Sequence, residues 1–268
     1  MTIVNHNIFT KSLWEQRFLL LWWTLGILTI TLLTILFYPS FKEMTGINAL
    51  VENDNSAMRV FVGNVTDLTS PEGYLNSQLY YLLIPLLFLV LAITQGSGAI
   101  AGEEEQGSLD LILSNPVKRW QLALQKFGAM TISLTSIALI LWIGTVTSVR
   151  LVSMEIAISH LAEITLSVTL LAILFGTIAF TIGMSTGSRG ISIGLTGAIA
   201  VLAYLLNALL PIKEELHSLT KLSPFYYYID SDPLTHGLDL IHVLVLIGLS
   251  VIILLAGLFI FERRDLGL

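Results

Sequence analysis

The stretch Leu79–Ala101 reads LYYLLIPLLFLVLAITQGSGAIA and contains no Asp, Glu, Lys or Arg. An apolar helix of about 20 residues is long enough to cross the roughly 30 Å hydrocarbon core of a bilayer. Three consecutive carboxylates, Glu103–Glu105, follow this stretch almost at once. The pattern therefore predicts a membrane-spanning helix that ends in a charged loop.

Five further runs of similar length also lack charged residues, and the chain is 54% hydrophobic but only 12% charged. Soluble domains carry about 25% charged residues. The runs lack the alternation over about ten residues that is typical of membrane β-strands. The sequence thus predicts an all-α polytopic membrane protein that forms one transmembrane domain over residues 1–268. The six expected spans cover about 18–37, 79–101, 121–149, 161–187, 190–211 and 239–261.

Three segments outside these spans carry their own signals. Residues 1–17 are expected to form an interfacial helix, with Trp14 near the headgroups; the alternative is an N-terminal extension of the first span. Tyr38–Gln78 is a long outer segment broken by Pro and Gly. Pro211–Leu238 contains the aromatic run Phe225–Tyr228. We expect it to form short helices that re-enter the outer leaflet in part, the alternative being a flexible aromatic-rich loop.

The distribution of basic residues predicts the orientation of the chain. Six spans place both termini on one side, and the segments on that side hold eight Lys and Arg residues against five on the other. Because Lys and Arg favour the cytoplasmic side, both termini are expected to be cytoplasmic. The absence of cysteine excludes disulfides and thiolate chemistry.

The loop between the second and third spans shows two features that call for an explanation. Glu103–Glu105 lie at the carboxyl end of a helix, where the helix dipole disfavours negative charge by some tenths to about 1 kcal/mol each. Gly107 is expected to stop that helix and Ser108 to cap a short apolar helix over Leu109–Leu113. The segment contains the large apolar side chains of Leu109, Leu111, Ile112 and Leu113. Leaving each of them in water would forfeit roughly 1.5–3 kcal/mol of burial free energy. The glutamates predict a partner outside the chain. The apolar side chains need a partner that buries them, which could be lipid, the protein's own spans or another subunit.

Small residues at the ends of the fourth and fifth spans favour close helix packing, within the subunit or across a dimer. Gly183–Gly187 also matches the G-x-S-x-G pattern of serine hydrolases, but that pattern requires a strand–turn–helix context. Packing is therefore the favoured interpretation. The residues assigned to packing are Gly183, Gly187, Gly190, Gly194 and Ala198.

The sequence lacks residues that several classes of protein need for their function. No Asp, Glu, Lys or Arg falls inside the charge-free runs at 18–37, 79–101, 127–149, 164–188, 191–212 and 240–261, which argues against a transporter powered by its own ion coupling. No phosphate-binding loop is present, so the usual device for binding ATP is missing. Two pairs at i,i+3 spacing, His160/Glu163 and Asp239/His242, could contribute ligands to a metal such as zinc, but no further ligand motif accompanies them. We therefore favour the interpretation that these polar side chains anchor the ends of their spans. The sequence predicts no catalytic residue, no metal and no cofactor on this chain.

The loop and the chain's end resemble one known family. Ala101–Arg119 is similar to the acidic-Gly-Ser/Thr-Leu-x-Leu-Leu-Leu-x-x-Pro-Val-x-Arg segment of ABC-2 type permeases, the membrane subunits of ABC exporters. The closing stretch Phe261–Leu266 is similar to the family's usual C-terminal ending. By this resemblance, Leu109–Leu113 is the coupling helix, which docks on a separate ATPase subunit. The residues implied in that coupling are Glu103, Glu104, Glu105, Gly107, Ser108, Leu109, Asp110, Leu111, Ile112, Leu113, Pro116 and Arg119.

The resemblance also implies the protein's surroundings. Two permease subunits, identical or paralogous, would pair with two ATP-binding subunits that hold ATP and magnesium. The complex would lie in the plasma membrane of a prokaryote, contact membrane lipid and no nucleic acid, and export an amphipathic substrate that is drug-like, lipid-linked or a peptide. A non-transporting scaffold or sensor that recruits a cytoplasmic protein through residues 103–119 is the alternative.

Overall fold

The computed structural model describes residues 8–44, 48, 65, 67–109, 118–212 and 214–265. Within these ranges every regular element is helical and no strand occurs, which confirms the all-α prediction. Six of the described helices are long and apolar enough to cross a membrane. The α-helices are α1 Ile8–Leu36, α2 Tyr38–Lys42, α3 Pro71–Leu75, α4 Leu83–Ala99, α5 Ala101–Glu105, α6 Arg119–Leu151, α7 Ile158–Thr186, α8 Arg189–Leu209, α9 Pro224–Ile229 and α10 Leu240–Arg263.

The helix that contains the first candidate span is longer than the span that the sequence pattern predicted. Helix α1 runs without a break from Ile8 to Leu36, so there is no boundary near residue 18. Lys11 and Glu15 pair at 3.6 Å on its surface, and the Arg17 guanidinium lies 4.2 Å from the centre of the Trp14 ring. These contacts satisfy the polar side chains within a continuous helix. An interfacial segment at the N-terminus would therefore be the first turns of this same helix.

The second span also begins earlier than expected. It starts at α3, passes through a π-helical turn at Asn76–Tyr80 and continues as α4. Ser70 caps α3, its side chain accepting a hydrogen bond from the Gly73 backbone. The helical stretch that contains the second candidate span therefore starts at Pro71, before the expected start of the span near residue 79.

Helix α7, the fourth span, is the centre of the bundle. It packs against α4, α6, α8 and α10, and residues on every side of it are buried. Its closest neighbour is α4, where a Cβ atom on Gly96 would collide with the backbone oxygen of Gly176. Glycine is required at this crossing because the two backbones approach too closely for any side chain. Helix α1, by contrast, packs mainly on α6 and leaves most of its surface exposed.

The described part of the segment between the last two spans packs against the bundle. It contains a 3₁₀ helix, Glu214–Leu222, followed by α9. Tyr228 of α9 is fully buried, and its hydroxyl donates a hydrogen bond to the backbone oxygen of Tyr80. Ser167 of α7 donates to the Tyr228 carbonyl at 2.8 Å. The segment therefore has the short helices that the sequence predicted, while its re-entry into a membrane stays a prediction.

Candidate functional site

The candidate site lies at the end of the second span, where the chain makes a fixed turn. Gly107 has φ +66°, a left-handed conformation that glycine adopts at low cost. Its N–H donates to the Glu104 carbonyl at 3.0 Å, and the N–H of Ser108 donates to the Glu103 carbonyl at 2.9 Å. These two bonds form a Schellman motif, which ends α5 and satisfies its last carbonyls. The three carboxylates before Gly107 are therefore held on a defined surface.

Each of these carboxylates has a partner within the chain. Glu103 forms an ion pair with Lys126 of α6, whose side chain is only 8% exposed. Glu104 accepts two hydrogen bonds from Arg264, one of them at 2.9 Å. Glu105 accepts a bond of 2.8 Å from the backbone N–H of Arg189 at the start of α8. The amino end of a helix dipole favours a carboxylate at that position.

Two arginines extend these contacts to the ends of α7 and α10. Arg264 donates to the backbone oxygen of Met184 at 3.1 Å, in the last turn of α7. Arg119 donates to the carbonyls of Arg264 at 2.6 Å and Phe261 at 3.4 Å, at the end of α10. Both arginines thus satisfy helix-end carbonyls that have no partner within their own helices. We call the residues Glu103, Glu104, Glu105, Arg119, Lys126, Arg189 and Arg264 the end network.

The end network corrects one inference from the sequence. The helix-end position of the three glutamates predicted a partner outside the chain, whereas the structure pairs all three inside it. Lys126, Arg264 and the amino end of α8 offset the unfavourable dipole of the second span. Reasoning from residues that are close in the sequence cannot identify partners that lie on other helices. The signal that could have found them is the group of basic residues at the same ends of the spans.

The start of the expected coupling helix is also buried within the subunit. Leu109 is 1% exposed and belongs to a cluster that includes Leu122, Phe180 and Phe261. Of the burial partners that the sequence left open, the structure thus gives Leu109 the protein's own spans, rather than the ATPase subunit that the resemblance implied. The other residues expected to dock, Asp110, Leu111, Ile112, Leu113 and Pro116, lie outside the described residues.

The comparison with known families decides what kind of protein carries this site. The sequence model of the family described as "ABC-2 family transporter protein" matches residues 6–266. The chain belongs to the ABC-2 transporter family. No curated protein sequence matches it. The family match and the six candidate spans together indicate a multi-pass membrane protein, a permease subunit of an ABC transporter.

The small residues of this ABC-2 protein have different surroundings from one another. Gly183 packs against α4, where an added Cβ would lie 3.4 Å from the Ser97 carbonyl. Gly187 has φ +70° and ends α7, and a Cβ there would collide with the Glu104–Arg264 pair. Open space surrounds Gly194. Within the subunit, Gly183 therefore serves packing and Gly187 serves the helix end. Gly190 has only the Ser188 hydroxyl near it, and Ala198 is exposed.

The pattern that resembled a hydrolase has a structural explanation in the ABC-2 protein. Ser185 lies in the last turn of α7, and its hydroxyl donates to the Thr181 carbonyl at 2.7 Å. This bond to the preceding turn is common for serine in helices. The strand–turn–helix context of a nucleophile is absent at this position.

The histidine and carboxylate pairs at the opposite end of the bundle have structural roles as well. Asp239 caps α10 by accepting from the Ile241 N–H at 2.7 Å. Glu163 accepts from the Leu238 N–H at 3.0 Å and holds the chain that enters α10. Among the residues that the structure describes, no group of three or more His, Cys, Asp or Glu could hold a metal ion.

Proposed function

We propose that this chain is the permease subunit of an ATP-driven ABC exporter and that a separate subunit binds and hydrolyses ATP. Family membership and six candidate spans support the permease role. The lack of Asp, Glu, Lys and Arg in the charge-free runs supports an external source of energy. The observation that carries the proposal is the end network, because it joins the second span to α6, α7, α8 and α10.

The anchoring on either side of residues 110–117 supports a coupling role for that segment. On one side, Leu109 is packed in the core of the bundle. On the other side, Arg119 binds the carbonyl end of α10. A force on residues 110–117 would therefore be passed to both the core of the bundle and the last span, because one flank is attached to each. We propose that the ATPase subunit docks on residues 110–117 and moves the bundle through these two flanks.

The exposed faces of the outer helices support a second permease subunit. Helix α8 buries only one narrow stripe that includes Ser192, Thr196 and Ala200. Gly194 and Ala198 lie on another face of α8, where none of the described residues fills the space around Gly194. Small residues on an exposed membrane helix allow close approach of another helix. We propose a pair of permeases, identical or paralogous, with an amphipathic substrate that is drug-like, lipid-linked or a peptide.

The position of α9 supports partial re-entry of the segment before the last span. The Phe225 ring lies 5.9 Å from the Phe175 ring and 5.6 Å from the Tyr204 ring. Phe175 stands about 25 Å along α7 from its first residue, at 1.5 Å per residue. Phe225 therefore reaches the middle of the bundle rather than its edge. We propose that the protein lies in the plasma membrane of a prokaryote and that α9 lies within the outer half of this membrane.

The proposed orientation places both termini and the end network in the cytoplasm. Single cysteines at Ser218 and Gln106 test it, because the chain has no native cysteine and both positions are exposed. In intact cells, an impermeant thiol reagent is expected to label the cysteine at 218 and to spare the one at 106. The reverse pattern would contradict the orientation, and labelling of both after cell lysis serves as the control.

The coupling proposal is tested by a pair of leucine substitutions. Leu111→Ala with Leu113→Ala is expected to weaken binding of the ATPase subunit by roughly tenfold or more, because truncated anchor residues cost about 1–3 kcal/mol each. Leu219→Ala with Leu222→Ala is the matched control, since these leucines are exposed at the opposite end. Binding is measured by co-purification, and ATP turnover and substrate efflux in proteoliposomes.

The outcome also separates the exporter from the scaffold. Loss of binding together with loss of efflux is expected for an exporter. A wild-type complex that binds the partner but neither turns over ATP nor moves substrate would favour the scaffold. Full binding and full efflux in the double variant would show that residues 110–117 are not the coupling element.

A further inference from the structure

A groove of about 510 Å³ follows the surface of α1, the most exposed of the long helices. Seven of its lining residues belong to α1, from Leu13 to Leu28, and Ile140 of α6 completes the lining. Apart from Arg17 and Thr24, every described residue of the lining is Leu or Ile. The groove is therefore apolar and carries a single charged side chain.

The length of the groove matches the depth of one lipid leaflet. Arg17 directly precedes the charge-free run 18–37, so it marks the edge of the first span. From Arg17 to Leu28 the helix rises by about 16 Å, at 1.5 Å per residue. Half of the hydrocarbon core of a bilayer measures about 15 Å. Leu28 packs so closely on Gly144 of α6 that a Cβ atom there would collide with it, which closes the groove at this depth.

The charged group of the groove is held in place by its neighbours on α1. The Arg17 guanidinium lies 4.2 Å from the centre of the Trp14 ring and 4.6 Å from that of Phe18. One of its N–H groups donates to the Trp14 carbonyl at 2.8 Å. Among the described residues no carboxylate forms an ion pair with it. A guanidinium has five N–H donors, so most of them are available to a ligand.

The position of this charge indicates which molecule fits the groove. A guanidinium binds phosphate oxygens through two parallel hydrogen bonds. Phospholipids carry their phosphate at the edge of the hydrocarbon core and their acyl chains below it, which is the arrangement of Arg17 and the leucines. A helix of a second subunit would instead bury Arg17, which is costly unless that helix supplies a carboxylate. A basic side chain at the membrane surface favours lipids of net negative charge.

We propose that this groove is a binding site for one phospholipid of net negative charge. The lipid phosphate binds Arg17, and one acyl chain lies along α1 between Leu20 and Leu28. The lipid thereby fills the space between α1 and α6 and holds α1 to the bundle. Binding requires neither the ATPase subunit nor export, so it can be tested on the chain alone. Failure of this proposal would leave the permease role unaffected.

The test uses the full-length chain, freed of lipid in a non-ionic detergent and titrated with phospholipid in native mass spectrometry. Phosphatidylglycerol and phosphatidylcholine with identical acyl chains are compared. The first phosphatidylglycerol is expected to bind about fivefold more tightly, the effect of one basic side chain on an anionic lipid. Arg17→Gln should lower this affinity to that of phosphatidylcholine, whose own binding stays unchanged and reports a folded variant. Arg17→Lys keeps the charge and should keep most of the preference.

Arg263 offers a matched control for the charge. It is exposed, and its guanidinium lies 4.0 Å from the centre of the Phe259 ring, as Arg17 lies on Trp14. It lies at the same end of the bundle, since Ile8 of α1 packs on the cluster that contains Phe261. Arg263 does not line the groove, so Arg263→Gln is expected to leave the affinity for phosphatidylglycerol unchanged.

A second pair of variants tests the acyl chain. Thr24→Phe fills the middle of the groove and should weaken binding of both lipids by about tenfold, the effect of losing contact with about two methylene groups. Gly26→Phe adds the same ring at nearly the same depth, where no described atom lies within 4 Å of the new Cβ, and should change neither affinity.

Three results would overturn the proposal. The first is equal affinity of the wild-type chain for the two lipids. The second is an equal loss from a variant and its control, either Arg17→Gln with Arg263→Gln or Thr24→Phe with Gly26→Phe. The third is a change from dimer to monomer in Thr24→Phe with unchanged lipid binding, which would assign the groove to a second copy of the chain.

Discussion

The ion pair between Glu104 and Arg264 should be among the most stabilising polar contacts of the bundle. The two side chains are 25% and 20% exposed, and the arginine also binds the Met184 carbonyl. Exposed pairs contribute about 0–1 kcal/mol, whereas breaking a buried pair costs about 3–5 kcal/mol. We therefore expect Arg264→Gln to destabilise the fold by about 2 kcal/mol, between these two limits.

A double-mutant cycle isolates the pair from its surroundings. Glu104→Gln, Arg264→Gln and the combined variant are unfolded reversibly in mixed micelles, with tryptophan fluorescence as the signal. We expect a coupling energy of about 1–2 kcal/mol. The exposed pair Lys11–Glu15, at 55% exposure for each side chain, is the control. Its coupling energy should be about 0.3–0.5 kcal/mol.

The comparison of the two cycles can refute the reasoning. If the coupling between Glu104 and Arg264 were no larger than that between Lys11 and Glu15, the end network would not fasten the second span to the last one. The proposed transmission of force through the network would then lose its physical basis. A large coupling at both pairs would instead show that exposure is not the deciding factor.

Two other predictions concern glycines. Gly187→Ala should destabilise the fold by about 1–3 kcal/mol, because alanine is strained at positive φ and its Cβ meets the arginine–glutamate pair. Gly194→Ala, in open space among the described residues, should change stability by no more than about 0.5 kcal/mol in the same unfolding assay.

Most of the fold could be predicted from hydropathy alone. A charge-free run of about 20 residues has no other stable place than a membrane or a fully buried helix, so the number of spans followed directly. The ends of the spans were less predictable. Helix α1 continues through Lys11, Glu15 and Arg17 because local pairs satisfy these side chains. The π-helical turn at Asn76–Tyr80 depends on contacts with distant residues such as Tyr228.

The turn at the candidate site could be predicted from the sequence, whereas the partners of its charged side chains could not. The turn at Gly107 depends on local backbone geometry, which a glycine after a helical segment indicates well. The partners of the three glutamates are up to 160 residues away in the sequence. Nothing in a single sequence specifies which basic residue meets which acid, because that depends on how the helices pack. Leu109 is buried for the same reason.

Internal pairing of the glutamates strengthens rather than weakens a coupling role for the adjacent segment. A docking segment on a loose loop would absorb the motion of its partner, since a flexible connection transmits little force. Here the segment begins at a leucine packed in the core and ends at an arginine bound to α10. The glutamates hold the same turn to α6, α8 and Arg264. The three glutamates therefore hold the turn next to the proposed docking segment in place. Residues 110–117 are the segment where we expect a partner to bind.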